Sequence, residues 1–514
     1  MFPAKVHRRI YLVLLTLLGG CMVTSIGMSN VVWVLLLANW LLEGRWSEKW
    51  TMARQSRLLH AVAFFFLLHA VGLLWTSNLP AGFHVVERLL PWLAVPLVVL
   101  TTRPPAGRAR STILTLYMGT VFVVTVIGLV RYLAIPDLPY RQMVPFISHI
   151  RFALNCCMVV FLCVNMLRHA DGGTPLWRKV ALVALMVWMM GFLLLLRSYT
   201  AFVVFGVVSL VVVLGLRRRW LWLAVWLAVV GGTAAYVVVQ YRAYHTLQPI
   251  ALQPVVLYTP SGNPYLHLHD GMVESGNYVN NYLCHEELAQ QWPKRSRVPL
   301  DSLTASGYNV EASLVRYLNA LGLPKDSVGL AALSDEQVAE VARGVPNPVY
   351  EHAPLPQRML HVMFFELENY RCYRAVEGFS MLQRLELWRT ALHIIGRHPW
   401  TGVGTGDLGE AMEAEFRRSA SPLQGSDLMP HNEYLTLIAM FGLPLFVLMV
   451  LVWLRAAPRL RRQGQLFVAL TVAVLVSFLA ENTLDSLAGI LFCTWFMAFR
   501  RPESNPESTG VELC

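Results

Sequence analysis

Charge is what this 514-residue sequence has least of. Asp, Glu, Lys and Arg make up 14% of it, against about a quarter in a soluble globular domain. With 56% hydrophobic residues and a mean hydropathy of +0.49, the chain reads as a polytopic membrane protein. Other absences narrow the chemistry. No C-x-x-C or H-x-x-x-H spacing occurs, so no metal site is expected. No P-loop is present, and the turn TGVGTGD at 401–407 follows no strand and brings its third glycine one residue too early for a dinucleotide fingerprint. No cofactor is therefore expected. Internal repeats, low-complexity tracts and heptad runs are absent as well.

What is present is a series of apolar runs. They lie at about 10–27, 30–43, 58–75, 85–101, 112–134, 152–168, 178–196, 199–216 and 219–239, then at about 432–454, 465–481 and 484–499. The expected fold class is an all-α polytopic membrane protein with about 12 transmembrane helices, the second and fourth short enough to be tilted, broken or re-entrant. The first run follows Lys5, Arg8 and Arg9 as a signal peptide would, but no small-residue cleavage site and soluble stretch come after it. It reads as the first span.

The formal net charge of +11 does not imply nucleic acid, because the basic residues sit in short clusters between apolar runs, where they orient a membrane protein. With the N-terminus inside, every second loop is basic, from Arg45, Lys49, Arg54 and Arg57 through to Arg455, Arg459, Arg461 and Arg462. Arg88, Arg131, Arg141, Arg151 and Arg197 break the pattern on the other side, beside span ends. An external anion would account for them, and so would snorkelling to lipid headgroups.

The expected organisation is nine spans over 1–239, one large external segment over 240–430, three spans over 431–499 and an internal tail over 500–514. The external segment is partly helical. EASLVRYLNALGL at 311–323 has helical apolar spacing, Ser334 and Gln337 form a capping-box pattern, and DLGEAMEAEFRR at 407–418 runs from acidic to basic as the helix dipole prefers. The stretch 251–300, rich in Pro, Asn, His and Tyr, reads as irregular. Cys284 and Cys372 lie in this segment, where an oxidising compartment would permit a disulfide. Cys21, Cys156, Cys157, Cys163 and Cys493 fall in apolar spans, as small packing residues do.

The candidate chemistry is concentrated at 384–442. Arg384 and Trp388 share a face if their segment is helical, and an arginine fork suits phosphate oxygens; the plainer alternative is a salt bridge to Glu386, Glu377 or another acid of the loop. His431 begins an apolar helix, where a helix N-terminus and nearby arginines favour the neutral imidazole that can accept a proton. Its alternative is an interfacial or capping histidine. Gly402 and Gly404 permit a tight turn, with a backbone anion nest as the weaker reading. Arg197, in LLLLRSYTAF, stands between two apolar runs with almost no loop. Glu481 and Asp485, in FLAENTLDSLAG, lie between the last two spans, placed to bind substrate or pair with the external arginines.

These elements together resemble the O-antigen ligase and polymerase family, in its Bacteroidetes-type branch. Arg384, Trp388, Pro399, Gly402, Gly404, His431 and Asn432 follow its order, and GLLWTSN at 72–78, SHIRFAL around Arg151, RYLNALGLPKDSVG at 316–329 and ENTLDSLAG extend the likeness. Arg197–Ser198 departs from the family's Ser-Arg order. The resemblance implies a glycosyltransferase of GT-C-like architecture in the bacterial inner membrane, its large loop and active site periplasmic and its termini cytoplasmic. It also implies metal-independent, inverting transfer of a glycan from undecaprenyl pyrophosphate to lipid A-core or a similar acceptor. His431 would act as general base or acceptor orienter, and Arg384, Arg197 and Arg151 would hold the pyrophosphate. Asn432, Trp388, Gly402, Gly404, Glu481 and Asp485 would support them. A polymerase and a protein O-oligosaccharyltransferase would use the same residues. A lipid-linked glycan transporter, the reading from another class, predicts charges near the membrane midplane in repeated halves.

Overall fold

A backbone that crosses lipid must pair its own amides, so apolar runs of this length fold as helices. The structure, a computed structural model, describes residues 3–500 except Asp137, 171–172, Arg217, 249–254, His269, 305–306 and 377–379. The tail beyond Arg500 lies outside the described residues, as does Glu377. The fold is all-helical apart from a two-residue hairpin pair, Val273–Glu274 with Asn277–Tyr278.

Among the described residues, eight helices are long and apolar enough to cross a membrane, including Leu79–Leu100 at the expected fourth span. The expected second span is broken: Ile26–Leu42 and Trp46–Gln55 meet at 117°. The corner falls at Gly44 and Arg45, both in the left-handed region, and Lys49 ties it by reaching Glu43 at 3.1 Å. The other expected spans are shorter apolar helices, Tyr199–Leu214, Gln465–Ser477 and Leu487–Phe499. These fall below the roughly 20 residues of a straight crossing.

The chain divides into two units, one of residues 1–223 with 384–514 and one of residues 224–383. The expected external segment 240–430 is thereby shared: residues 384–430 pack with the helical unit rather than with the rest of the loop.

Among the long spans of the first unit the helix His149–Arg168 is the most enclosed, with Phe152 through Cys163 all buried. It packs on Leu176–Leu196, Tyr199–Leu214 and Gln465–Ser477. Its one buried amide, Asn155, is satisfied by the Tyr117 hydroxyl at 2.7 Å and the Arg151 carbonyl at 2.9 Å. Cys156, Cys157 and Cys163 are fully buried there as small packing residues. Trp495 fills the contact between Leu487–Trp495 and Ala4–Thr24, donating to the Leu15 carbonyl at 2.8 Å. A Cβ at Gly19 would stand 2.4 Å from its ring.

The second unit has its own core, in which Trp292, Leu314, Tyr317, Leu318, Leu330 and Val341 are fully buried. The helix Val310–Ala320 covers the expected apolar stretch, and the Ser334 capping box opens Asp335–Ala342 with both reciprocal bonds present. Arg316 on the first of these helices makes a two-pronged pair with the fully buried Glu274, at 2.8 and 2.9 Å. Asn347 also donates to that carboxylate, at 3.0 Å, which is the hydrogen bonding a buried pair needs to offset desolvation. Cys284 and Cys372, the possible disulfide pair, stand as free thiols in this structure. Cys284 immediately precedes the helix His285–Gln291 without a side-chain capping bond, while Cys372 lies in the last turn of Leu355–Tyr373 and packs against the unit's apolar core. The positions are equally suited to small apolar side chains.

Candidate active site

The helix Ser380–Arg397 carries Arg384 and, one turn later, Trp388. The Arg384 guanidinium meets the Glu481 carboxylate at 2.5 Å, and both side chains are mostly buried, at 16% and 8% exposure. Among the described residues its ion-pair partner is thus Glu481 and not Glu386. The Nε of Arg384 and the indole nitrogen of Trp388 are buried without a hydrogen-bond partner.

His431 precedes the helix Glu433–Arg462 and takes a left-handed backbone, φ +49°. That turn lets Asn432 cap the helix, its side-chain oxygen accepting from the Leu435 amide at 3.1 Å. The helix start is stapled to the segment that bears Glu481. The Glu433 amide donates to the Phe478 carbonyl at 2.8 Å, the Glu433 carboxylate accepts from the Leu484 amide at 3.1 Å, and Tyr434 donates to the Leu475 carbonyl at 2.8 Å. The result places His431 Nδ1 3.9 Å from the second oxygen of Glu481. That nitrogen is buried and has no hydrogen-bond partner.

His431 lies just outside the span that begins at Glu433. Burial, and secondarily the charges of Arg384 and Arg151, hold its pKa below the ordinary histidine value, while Glu481 opposes them. Burial, and not a helix N-terminus, is thus the leading cause of the shift.

Arg151, in the first turn of His149–Arg168, interacts electrostatically with Glu481 and Glu433, and its Nε is also buried without a partner. Arg197 stands one ring further out. Its guanidinium lies 5.1 Å over the Tyr140 ring, and Tyr140 meets His149 edge-on at 6.0 Å. Arg141 donates to the Tyr140 hydroxyl at 3.2 Å. The absence of a loop at Arg197 has a local cause: Arg197 turns left-handed at the end of Leu176–Leu196, and Ser198 at once caps Tyr199–Leu214.

Asp485 is elsewhere. It pairs with Arg88, and both are about two-fifths exposed. The glycine turn is a packing device and not an anion nest, because its amides are taken. Gly402 N–H donates to His398, Val403 to Ala439 and Gly404 to Met440, and Gly406 to the Thr76 hydroxyl. The turn seats against a second break, Gly442 inside Glu433–Arg462, also left-handed. A Cβ at Gly402 would lie 2.3 Å from the Met440 backbone, and one at Gly442 would lie 2.4 Å from the Trp400 backbone. Gly402→Ala is therefore expected to destabilise the protein by about 3 kcal/mol or more. Gly396→Ala, where a Cβ meets nothing within 4 Å, is expected to be neutral or slightly stabilising. Thermal unfolding of the two variants in detergent checks the contrast.

Glu433, His149 and Tyr140 complete the surroundings of the expected residues. An acid at the start of a helix is an ordinary dipole partner, so Glu433 carried no separate signal. Among the described residues no three His, Cys, Asp or Glu side chains come together as metal ligands. What the arrangement offers is an imidazole held below its ordinary pKa, a carboxylate between it and an arginine, and unpartnered nitrogens of Arg384, Arg151 and Trp388. Such a set can accept a proton and bind a polyoxygenated anion.

No curated protein matches the chain. Residues 357–450, which include Arg384, Trp388, the glycine turn, His431 and Asn432, match the O-antigen ligase family (Wzy_C), so over this stretch the multi-pass membrane protein is similar to O-antigen ligases.

Proposed function

We propose that this protein is an O-antigen ligase-type glycosyltransferase of GT-C-like architecture, moving a glycan from undecaprenyl pyrophosphate to lipid A-core or a similar acceptor at the periplasmic face of the inner membrane. The observation that carries the reading is the cluster of His431, Arg384, Arg151 and Glu481, with buried nitrogens on its first three members that have no partner in the protein.

In this reaction the acceptor oxygen bonds to the anomeric carbon as the bond from that carbon to the phosphate oxygen breaks. His431 takes the acceptor's hydroxyl proton, and the bonding pair leaves with the pyrophosphate. Arg384 and Arg151 stabilise the charge that develops on the leaving group, an effect that grows toward the transition state. Arg197, behind Tyr140, adds positive potential from outside the immediate cluster. Single displacement inverts the anomeric centre. The carrier lipid has a matching feature: an apolar cavity of about 330 Å³, lined by Phe65, Trp92, Leu437, Met449 and Phe467, among others. Tyr434, three residues after His431, and Leu484, three after Glu481, also line it.

Every residue of the cluster lies at a helix end or break, which favours an enzyme at the membrane boundary over a transporter working at the midplane. The test is the lipid and polysaccharide profile of a deletion strain complemented with the wild-type gene. A ligase predicts loss of glycan from lipid A-core on deletion, with full-length glycan accumulating on the carrier. Single repeat units on the carrier would identify a polymerase. An unchanged profile with loss of protein-linked glycan would identify a protein O-oligosaccharyltransferase.

A further inference from the structure

We propose that Glu481 is an exchangeable counter-ion: it holds Arg384 while the site is empty, and an incoming lipid pyrophosphate displaces it onto His431, completing the base only when the donor is bound. The proposal rests on the glycosyltransferase reading above and adds to it an order of events.

The geometry has three parts. First, the Glu481 carboxylate stands between two partners, one oxygen on Arg384 at 2.5 Å and the other 3.9 Å from His431 Nδ1. The longer distance is beyond a hydrogen bond, and a shift of about 1 Å would close it. Second, both ends of the exchange are incomplete. His431 Nδ1 and Arg384 Nε are buried without partners, so each has an unmet requirement that a moving carboxylate and an arriving phosphate would fill. Third, Glu481 is the less tethered of the two neighbouring acids. Among the described residues its carboxylate has one hydrogen-bond partner, Arg384, whereas neighbouring Glu433 is held by the Leu484 amide.

The driving force is competition at one guanidinium. An arginine fork binds phosphate oxygens in two prongs, and a pyrophosphate there would repel a carboxylate already bound. The charged groups acting on His431 are Glu481, Arg384 and Arg151, and Arg151 also faces Glu481 and Glu433; with both arginines engaged by the pyrophosphate, Nδ1 of His431, 3.9 Å from the second carboxylate oxygen, is the partner left for the displaced acid. Once there, Glu481 would accept Nδ1–H. This fixes the tautomer whose Nε2 is free to take the acceptor's proton, and it stabilises the imidazolium that forms. Glu481 thus acts through His431 and Arg384 as a positioning residue.

The experiment uses the full-length protein in lipid vesicles, with a lipid pyrophosphate-linked oligosaccharide as donor and a glycolipid acceptor. Absence of transfer by wild type would refute the glycosyltransferase reading itself. Given transfer, the acid limb of kcat, which reports the donor-bound enzyme, is expected at higher pH than that of kcat/KM, which reports the free enzyme. Glu481→Gln should lower kcat by about 10- to 100-fold, leave donor KM unchanged or reduced, and move the acid limb of kcat to lower pH. Glu481→Asp should recover part of kcat and the separation of the limbs. A Gln variant with raised donor KM but unmoved kcat and acid limb would overturn the exchange, leaving a fixed counter-ion. If the Gln variant does not fold, the Asp variant and wild type decide: coincident acid limbs in both overturn the proposal.

Discussion

His431→Ala is expected to reduce glycan transfer by about 10²- to 10⁴-fold, the usual contribution of a positioned general base, while the protein still reaches the membrane. The histidine makes no hydrogen bond through Nδ1 and is about one-third exposed, at 37%, so its loss removes little packing. The helix it precedes keeps its cap, because Asn432 provides it. The cost should therefore appear in rate and not in folding. His431→Gln, which restores bulk and a hydrogen-bonding group but cannot accept the proton, is expected to remain as inactive as the alanine variant.

The pH dependence follows from the same surroundings. Burial and the two arginines lower the pKa of His431 from its ordinary value, about 6.5, and a base works only when deprotonated. Transfer at limiting acceptor and donor should be flat near pH 7, and kcat/KM should fall only as pH drops below that ordinary value. A kcat/KM profile whose acid limb lies above pH 6.5 would contradict the assignment. Initial rates of the reconstituted protein between about pH 5 and 8 would measure it.

Replacing Arg384 should be as damaging by a different route. Arg384→Ala removes a donor aimed at the leaving group, a loss of about 10²- to 10³-fold in kcat, and it leaves Glu481 buried without its counter-charge. Breaking a buried pair on one side destabilises by up to about 3–5 kcal/mol, so this variant is expected to lose both yield and rate. Arg384→Lys separates the two effects. The ammonium keeps a charge opposite Glu481 and should recover most of the stability, but it lacks the planar fork that binds two phosphate oxygens at once. It should fold normally and still transfer poorly. Thermal unfolding in detergent and kcat from the same preparations make the comparison. Recovery of rate together with stability would show that Arg384 serves structure alone.

The residues at stake were visible in the sequence because their types are improbable where they stand. An arginine between two apolar runs, a histidine opening a span and acids in the last inter-span segment each carry a desolvation penalty that composition alone makes conspicuous. Helices are equally legible, since lipid leaves the backbone no other partner and the Ser334 capping box is a local pattern that needs no distant residue. Even the two glycines of 402–404 announced a turn. What they turned against was another matter. Gly442, 40 residues away in sequence number, supplies the second break, and nothing local in MFGLP says that its carbonyl neighbours face Trp400.

The pairings belong to tertiary structure for the same reason. Glu481 and Asp485 are four apart in one short segment, yet one is buried on Arg384 and the other exposed on Arg88. Sequence spacing fixes neither outcome, because both arginines come from remote helices. Cys284 and Cys372 were a permissible disulfide by compartment, and they stand as free thiols in the fold. By itself the sequence determined an all-helical membrane protein, the segments that span or nearly span, and the residue types proposed to accept a proton and bind a pyrophosphate. Only the tertiary structure decided which carboxylate stands between Arg384 and His431, because that contact is made by three chain segments held together by long-range packing.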